Sequence, residues 1–202
     1  MNKKQALTDR SVQDDKNLIL SFQSNDKNVF DQLVLKYQNM VFNVCYRFLS
    51  NYDDANDCAQ ETFVKVFRNL DKFKFESAFS TWLYRIAVNT CKSRMASLQY
   101  RIEKISVPID KQRETQNGNF PFEIKDETYS PENLVEKKEV KLMVHKAIDS
   151  LPEKQRMLII LRDLECLPYD EIVKITGFKL GTVKSKIARA RQALVQKIKE
   201  VI

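Results

Sequence analysis

Residues 177–199, GFKLGTVKSKIARARQALVQKIK, carry Lys179, Lys184, Lys186, Arg189, Arg191, Lys197 and Lys199 and no acid. The acid-free window runs from Ile172 to Lys199. Cations at this density suit a polyanion, a membrane surface or plain solvation. A second group is Asp53, Asp54 and Asp57, with Gln60 and Glu61 following. Clustered acids either hold a catalytic metal or favour the start of a helix. A third group, FKFESAFSTWLYR, sets Phe73, Phe75, Phe79, Trp82 and Tyr84 among Lys72, Lys74 and Arg85. Aromatics interleaved with cations can stack unpaired bases. They can equally fill a small core, and spacing alone favours that use for Trp82 and Phe75.

The remaining reactive side chains form no pattern. Cys45, Cys58, Cys91 and Cys166 stand 13, 33 and 75 residues apart, without a C-x-x-C pair, and His145 is the one histidine. A structural zinc needs about four clustered ligands. No metal and no cofactor are therefore expected, and each cysteine is expected to be a small buried apolar residue.

Charge and composition narrow the class. The 202 residues hold 34 basic and 27 acidic side chains, net +7, with pI near 9.1. Residues 1–95 contribute net +3, 96–135 net −2 and 136–202 net +6. Positive charge is thus gathered at the C-terminal end. Glycine is scarce, at three residues. Phosphate-cradling and dinucleotide-binding loops need clustered glycines, so P-loop and Rossmann enzymes are excluded. MNKKQALTDRSVQDDKN has no apolar core, and the longest aliphatic run, Met157–Leu161, falls far short of the ~18 residues of a membrane span. A soluble, reduced, cytoplasmic protein is expected.

Apolar periodicity locates the elements that must position these groups. Phe30, Leu33, Val34, Tyr37, Val41, Val44, Cys45, Phe48 and Leu49 recur at helical steps over 30–49. Cys58, Ala59, Thr62, Phe63, Val66, Phe67 and Leu70 predict a second helix over about 54–70. After the aromatic stretch 71–79, Ser80 can cap a third, with Trp82, Leu83, Ile86, Ala87, Thr90 and Cys91 inward. Over 97–133 the period stops and three of the five prolines occur, which reads as a linker. Its second half, EIKDETYSPENLVE, holds five acids and one lysine. Periodicity resumes near Leu134, in a helix ending at Ser150. Pro152 and Pro168 can each open another, and Gly177 suits a left-handed helix end.

A short helix, a glycine turn and a longer basic helix make a helix-turn-helix, whose second helix enters the DNA major groove. Val183, Ile187, Ala190, Leu194 and Ile198 form its inward stripe. That stripe is narrow and needed for the core, which disfavours a membrane-surface helix. Ser185 and Arg189 share an outer face, beside Ala188 and Gln192. Arginine can grip guanine bidentately, serine can donate or accept, and alanine can touch a thymine methyl. Flanking lysines suit phosphates, which position without specifying.

DDANDCAQETFVKVFRNLDKF, SAFSTWLYRIAVNTCKSR, LPEKQRMLIILRDLECLPYDEIVKITG and GTVKSKIARARQAL together resemble the extracytoplasmic-function (ECF) sigma factors of bacterial RNA polymerase. The four segments occur in the family's order on both sides of the linker. The resemblance implies an all-α fold of two small helical domains joined by a flexible linker. Sigma domain 2 would span 1–96, the linker 97–133 and sigma domain 4, with the helix-turn-helix, 134–202. It implies that Asp54, Asp57, Gln60 and Glu61 dock on the clamp helices of the largest catalytic subunit of core RNA polymerase. Asn56 stands where the family often has an acid. Lys74, Phe75, Ser77, Ala78, Phe79, Arg85, Asn89 and Lys92 would engage the −10 promoter DNA. Thr182, Lys184, Ser185, Lys186, Ala188, Arg189 and Arg191 would engage the −35 element. The flap of the polymerase's second large subunit and an anti-sigma factor are further implied partners.

The function expected is promoter-specific transcription initiation as a dissociable polymerase subunit, with no catalytic residue. A helix-turn-helix regulator that never joins the polymerase is the alternative. Such a regulator needs neither the acidic helix nor the WLYRIAVN segment. A metal-dependent nuclease would need Asp53, Asp54 and Asp57 around an ion rather than in a docking pattern.

Overall fold

A computed structural model describes residues 3–97 and 143–199, with side chains from residue 12 onward; within these ranges all regular structure is helical. The expected linker, its acidic half and the first residues of the expected C-terminal domain, through residue 142, lie outside the described residues.

Helix α1 spans Lys3–Gln23, and sequence periodicity had left it unassigned. Its last turns contribute Ile19 and Phe22 to the core. A 3-10 turn, Lys27–Val29, leads into α2, Phe30–Leu49. Tyr37 of α2 donates a hydrogen bond to Asp15 of α1 at 2.5 Å, and Lys36 pairs with the same carboxylate. Burial, then the adjacent Asp15, pushes the Tyr37 phenol well above its usual range.

α2 ends at Ser50, whose left-handed backbone lets its N–H return to the Tyr46 carbonyl. α3 follows over Tyr52–Asn69. Its start is set by Asn51, whose side chain accepts from the Asp54 N–H at 3.0 Å, and Asp53 and Asp54 sit in the positive first turn. α4 spans Phe79–Ala96. Ser80 does not cap it: Ala78 holds the N-cap position with no side-chain hydrogen bond, and Ser80 lies inside the first turn.

In the second half, residues 143–149 form α5, with a turn at Ser150. α6, Glu153–Ile159, starts after Pro152 and runs into a π-turn, Ile160–Leu164. α7, Tyr169–Thr176, starts after Pro168 and stops at Gly177, with φ 72°. A side chain would be strained there, and the turn releases the chain into α8, Leu180–Lys199.

α2, α3 and α4 pack around Leu33, Val41, Val44, Phe48, Val66, Leu83 and Val88. Each such side chain contributes about 1.5–3 kcal/mol by leaving water. Met157, Leu158, Ile160, Leu161, Ile172, Val183 and Ile187 of the second half join the same apolar cluster. Polar contacts cross the junction as well. Glu165 accepts from Arg47 through one oxygen and from Tyr84 Oη, at 2.8 Å, through the other. Arg156, buried, donates to the Phe48 carbonyl at 3.2 Å, and Ser50 donates to Asp149 at 2.7 Å. The two helical parts, pictured from sequence as separate bodies on a tether, here share a core.

Three of the four cysteines are buried as expected. Cys166 is the exception: it is exposed, with a positive φ of 55°. It lies in the turn between Leu164 and Tyr169, where the chain turns outward.

Candidate nucleic-acid interface

The basic helix is built as its sequence pattern requires. Val183, Ile187 and Ala190 are fully buried, and Leu194 and Ile198 are half-buried. Lys184, Ser185, Ala188 and Arg189 are exposed, and Thr182 and Lys186 are half-buried at the margin. The i, i+4 relation of Ser185 and Arg189 therefore becomes one open face. Ser185 Oγ donates to the Thr182 carbonyl at 3.1 Å, which leaves its lone pairs outward. Arg189 makes no ion pair among the described residues.

Arg191 differs. Its guanidinium forks onto Asp163, at 2.5 and 3.2 Å, and that pairing raises its pKa. The π-turn at Ile160–Leu164 brings Asp163 to this spot. Arg191 thus has an acid partner within its own domain, as Arg189 does not among the described residues. Lys184 lies 5.9 Å from the Tyr169 ring and Lys186 5.4 Å from the Phe178 ring, so aromatic faces of the preceding helix and turn steady both cations.

The aromatic stretch divides in two. Phe73 and Phe79 are buried, at 7% and 4% exposure, and Phe79 packs edge-on against Tyr37 and Phe73. Phe79 is core here and cannot stack a base without leaving it. Spacing favours the core for Phe75 instead, and the fold corrects that reading: Phe79 fills the core because it opens α4 against Tyr37, while Phe75 sits in the loop before it. Phe75 is more than a third exposed, with φ 59°, a left-handed backbone unusual for a bulky residue. Its ring lies 5.0 Å from Phe73, so one edge is anchored and the other faces solvent. Gln23, at the end of α1, donates to the carbonyls of Leu70 and Phe73, at 3.1 and 3.0 Å, and fixes the start of this loop.

Lys74 and Ala78 are exposed and Ser77 half-buried along the loop; Arg85 and Asn89 are exposed and Lys92 half-buried on α4. Two open grooves flank this surface. One, about 390 Å³, is lined by Lys72, Lys74, Ser77, Trp82 and Arg85, with Lys174 from α7 at its edge. The other, about 540 Å³, is lined by Lys65, Lys72, Trp82, Asn89 and Thr90. Trp82, Lys72 and Lys65 were not among the expected DNA contacts. Lys72 and Trp82 line both grooves, and an aromatic ring between cations is a form suited to a displaced nucleotide.

The acidic group on α3 also divides. Asp57, Gln60 and Glu61 are exposed, and Glu61 pairs with Lys65 one turn on, at 2.8 Å. Asp54 is half-buried and accepts two hydrogen bonds from Arg94 of α4, at 2.7 and 3.3 Å. Asp57 stands 3.6 Å from the same guanidinium. Asp54 therefore ties α3 to α4, while Asp57, Gln60 and Glu61 remain on the exposed side of α3. Arg94, the residue that decides this, carried no signal in sequence because its partner lies 40 residues away.

The sigma-70 region 2 family model matches residues 33–100, and the sigma-70 region 4 family model matches residues 141–194. The ECF RNA polymerase sigma-E factors of Salmonella typhimurium and Escherichia coli are 39% identical to this chain over 188 residues, covering 93% of it and 96% of each relative. The RNA polymerase sigma-H factor of Pseudomonas aeruginosa is 39% identical over 184 residues, 89% of this chain and 91% of its own. Among solved structures, CnrH in complex with the cytosolic domain of CnrY superposes with a TM-score of 0.63 at 21% identity, covering 92% of this chain and 97% of that one, a likeness of fold. The sigma factor RpoE in complex with the anti-sigma factor NepR, from Bartonella quintana, superposes with a TM-score of 0.58 at 26% identity, covering 84% and 96%.

Proposed function

This chain belongs to the ECF sigma factors of bacterial RNA polymerase, and from that premise we propose how its surfaces divide the work of directing transcription. The family membership disfavours a regulator that stays off the polymerase. Domain 2, over 1–96, binds core polymerase and opens the −10 region; domain 4, from 134, binds duplex −35 DNA; residues 97–133 connect them. No bond is made or broken by the chain. It works in the cytoplasm; among the described residues no helix is long and apolar enough to cross a membrane.

On α8, Arg189 and Ser185 read base edges, and Lys184 and Lys186 hold phosphates on either side. Arg191 keeps the helix seated through Asp163. The observation that carries this assignment is the division of α8 itself: Val183, Ile187 and Ala190 buried on one side and, on the other, an exposed Arg189 that makes no ion pair among the described residues. On domain 2, Phe75 and Trp82 receive an unstacked −10 base. Lys72, Lys74 and Arg85 neutralise the displaced strand, and Asn89 offers a hydrogen-bonding amide beside them. Asp57, Gln60 and Glu61 dock on the clamp helices of the polymerase. An anti-sigma factor is the further partner, a reading supported by the complex of RpoE with NepR.

Reconstitution with core polymerase, followed by sequencing of transcript starts, tests the whole assignment. A holoenzyme that starts transcripts at a shared pair of spaced elements is the expected result. A folded chain that binds DNA but never joins the polymerase would return it to the regulator class.

A further inference from the structure

Cys45 of α2, Cys58 of α3 and Cys91 of α4 are far apart in sequence, yet their three Sγ atoms all lie within 4.8 Å of one another. The Sγ atoms of Cys58 and Cys91 are 3.5 Å apart. Cys45 and Cys91 are fully buried, and Cys58 is 2% exposed. Each of the three helices of the domain 2 core thus contributes one sulfur to one point. No role in docking or DNA binding uses them.

We propose that this triad is a binding site for a soft trivalent ion, arsenic(III) being the type, held by three thiolates. The donor set selects the ion. Sulfur alone suits soft, thiophilic metals and metalloids. Zinc completes four ligands, and among the described residues no fourth cysteine, histidine or carboxylate joins the group. Burial then discriminates by charge. Three thiolates leave a net charge of −2 around a monovalent ion, −1 around a divalent ion and zero around a trivalent one. An apolar interior penalises net charge steeply, so the neutral assembly is favoured over copper(I) or a divalent ion. The pyramidal geometry of trivalent arsenic also needs ligands on one side only, which three converging helices supply.

The reaction balances without redox chemistry. Arsenous acid and three thiols give the arsenic trithiolate and three waters: three As–O and three S–H bonds break, and three As–S and three O–H bonds form. Access is past Cys58, the one residue of the three with any exposure, by a local opening of α3. Once loaded, the ion ties α2, α3 and α4 together directly beneath Asp57, Gln60 and Glu61.

The test uses the full, reduced chain with Cys166→Ser, which removes the exposed thiol outside the cluster. Native mass spectrometry with sodium arsenite is expected to show a gain of one arsenic and a loss of three protons, with a rise in melting temperature. In the same background Cys91→Ala is expected to abolish that adduct, and the near-isosteric Cys58→Ser reads the same point should the alanine variant not fold. Absence of the adduct on the folded chain, its appearance only in urea, or an adduct that keeps an arsenic hydroxyl and so uses two thiols each overturns the site. Stoichiometric binding of chelator-buffered copper(I) without binding of arsenite overturns the charge argument. The proposal is independent of the transcription reading, since no arm uses polymerase or DNA.

Discussion

Arg189 and Lys184 sit less than two turns apart on α8, and both are exposed, yet the chemistry expected of each differs. Arg189 presents a fork suited to the paired acceptors of guanine; Lys184 presents a point charge at the margin, where phosphates pass. Arg189→Ala is expected to cost about 1–3 kcal/mol at the preferred −35 sequence and to relax selectivity at one position. Lys184→Ala should weaken every sequence alike and lower the salt slope by about 1, since only counterion release is lost. Competition binding of promoter fragments by holoenzyme, with each −35 position substituted over a salt series, separates the two. Equal losses across all fragments would reduce α8 to an electrostatic surface.

At the scale of the element, α3 has a structural edge and a proposed docking edge about two turns apart. Asp54 accepts the Arg94 fork, and Gln60 and Glu61 face water. Asp54→Ala should therefore lower the unfolding free energy by about 1 kcal/mol, a value kept small because Arg94 is partly exposed and screened. Gln60→Ala with Glu61→Ala should change stability by no more than about 0.5 kcal/mol while weakening polymerase binding. Urea denaturation and holoenzyme titration, run on both variants, give the contrast. The 73–78 loop and α4 act as a second element. Asn89→Ala is expected to reduce permanganate reactivity at −10 more than it reduces duplex binding; an unchanged bubble would remove Asn89 from the strand-capturing surface.

At the scale of the molecule, the two helical parts meet through a half-buried ion pair and a shared apolar cluster. Glu165 accepts from both Arg47 and Tyr84, 118 and 81 residues away. Burial, then the Glu165 carboxylate, raises the Tyr84 phenol above its usual range. Glu165→Ala removes the acceptor that Arg47 and Tyr84 share at a half-buried junction, a loss of about 1–3 kcal/mol. The variant should melt at lower urea and show a larger radius of gyration in solution scattering. An unchanged radius and midpoint would mean that the junction holds little energy.

Sequence alone determined most of the helices, several of their ends and the outward face of α8. Helical periodicity, prolines at 152 and 168 and a glycine at 177 act within a few residues, so they are legible without a fold. The same locality made Ser185 and Arg189 readable as one outer face, and Gln60 and Glu61 as another. Ser80 misled because a capping residue type stands two residues past the N-cap position, which Ala78 holds. α1 escaped notice because, among its described side chains, the apolar ones turned toward the core are Leu18, Ile19 and Phe22 near its end. What tertiary structure decided were partners distant along the chain. Phe79 went inward and Phe75 outward, Asp54 and Arg191 were spent on Arg94 and Asp163, and three scattered cysteines converged. These outcomes depend on which helices pack and at what rotation. Close packing admits one arrangement of many side chains at once, and that arrangement is not written in any local period.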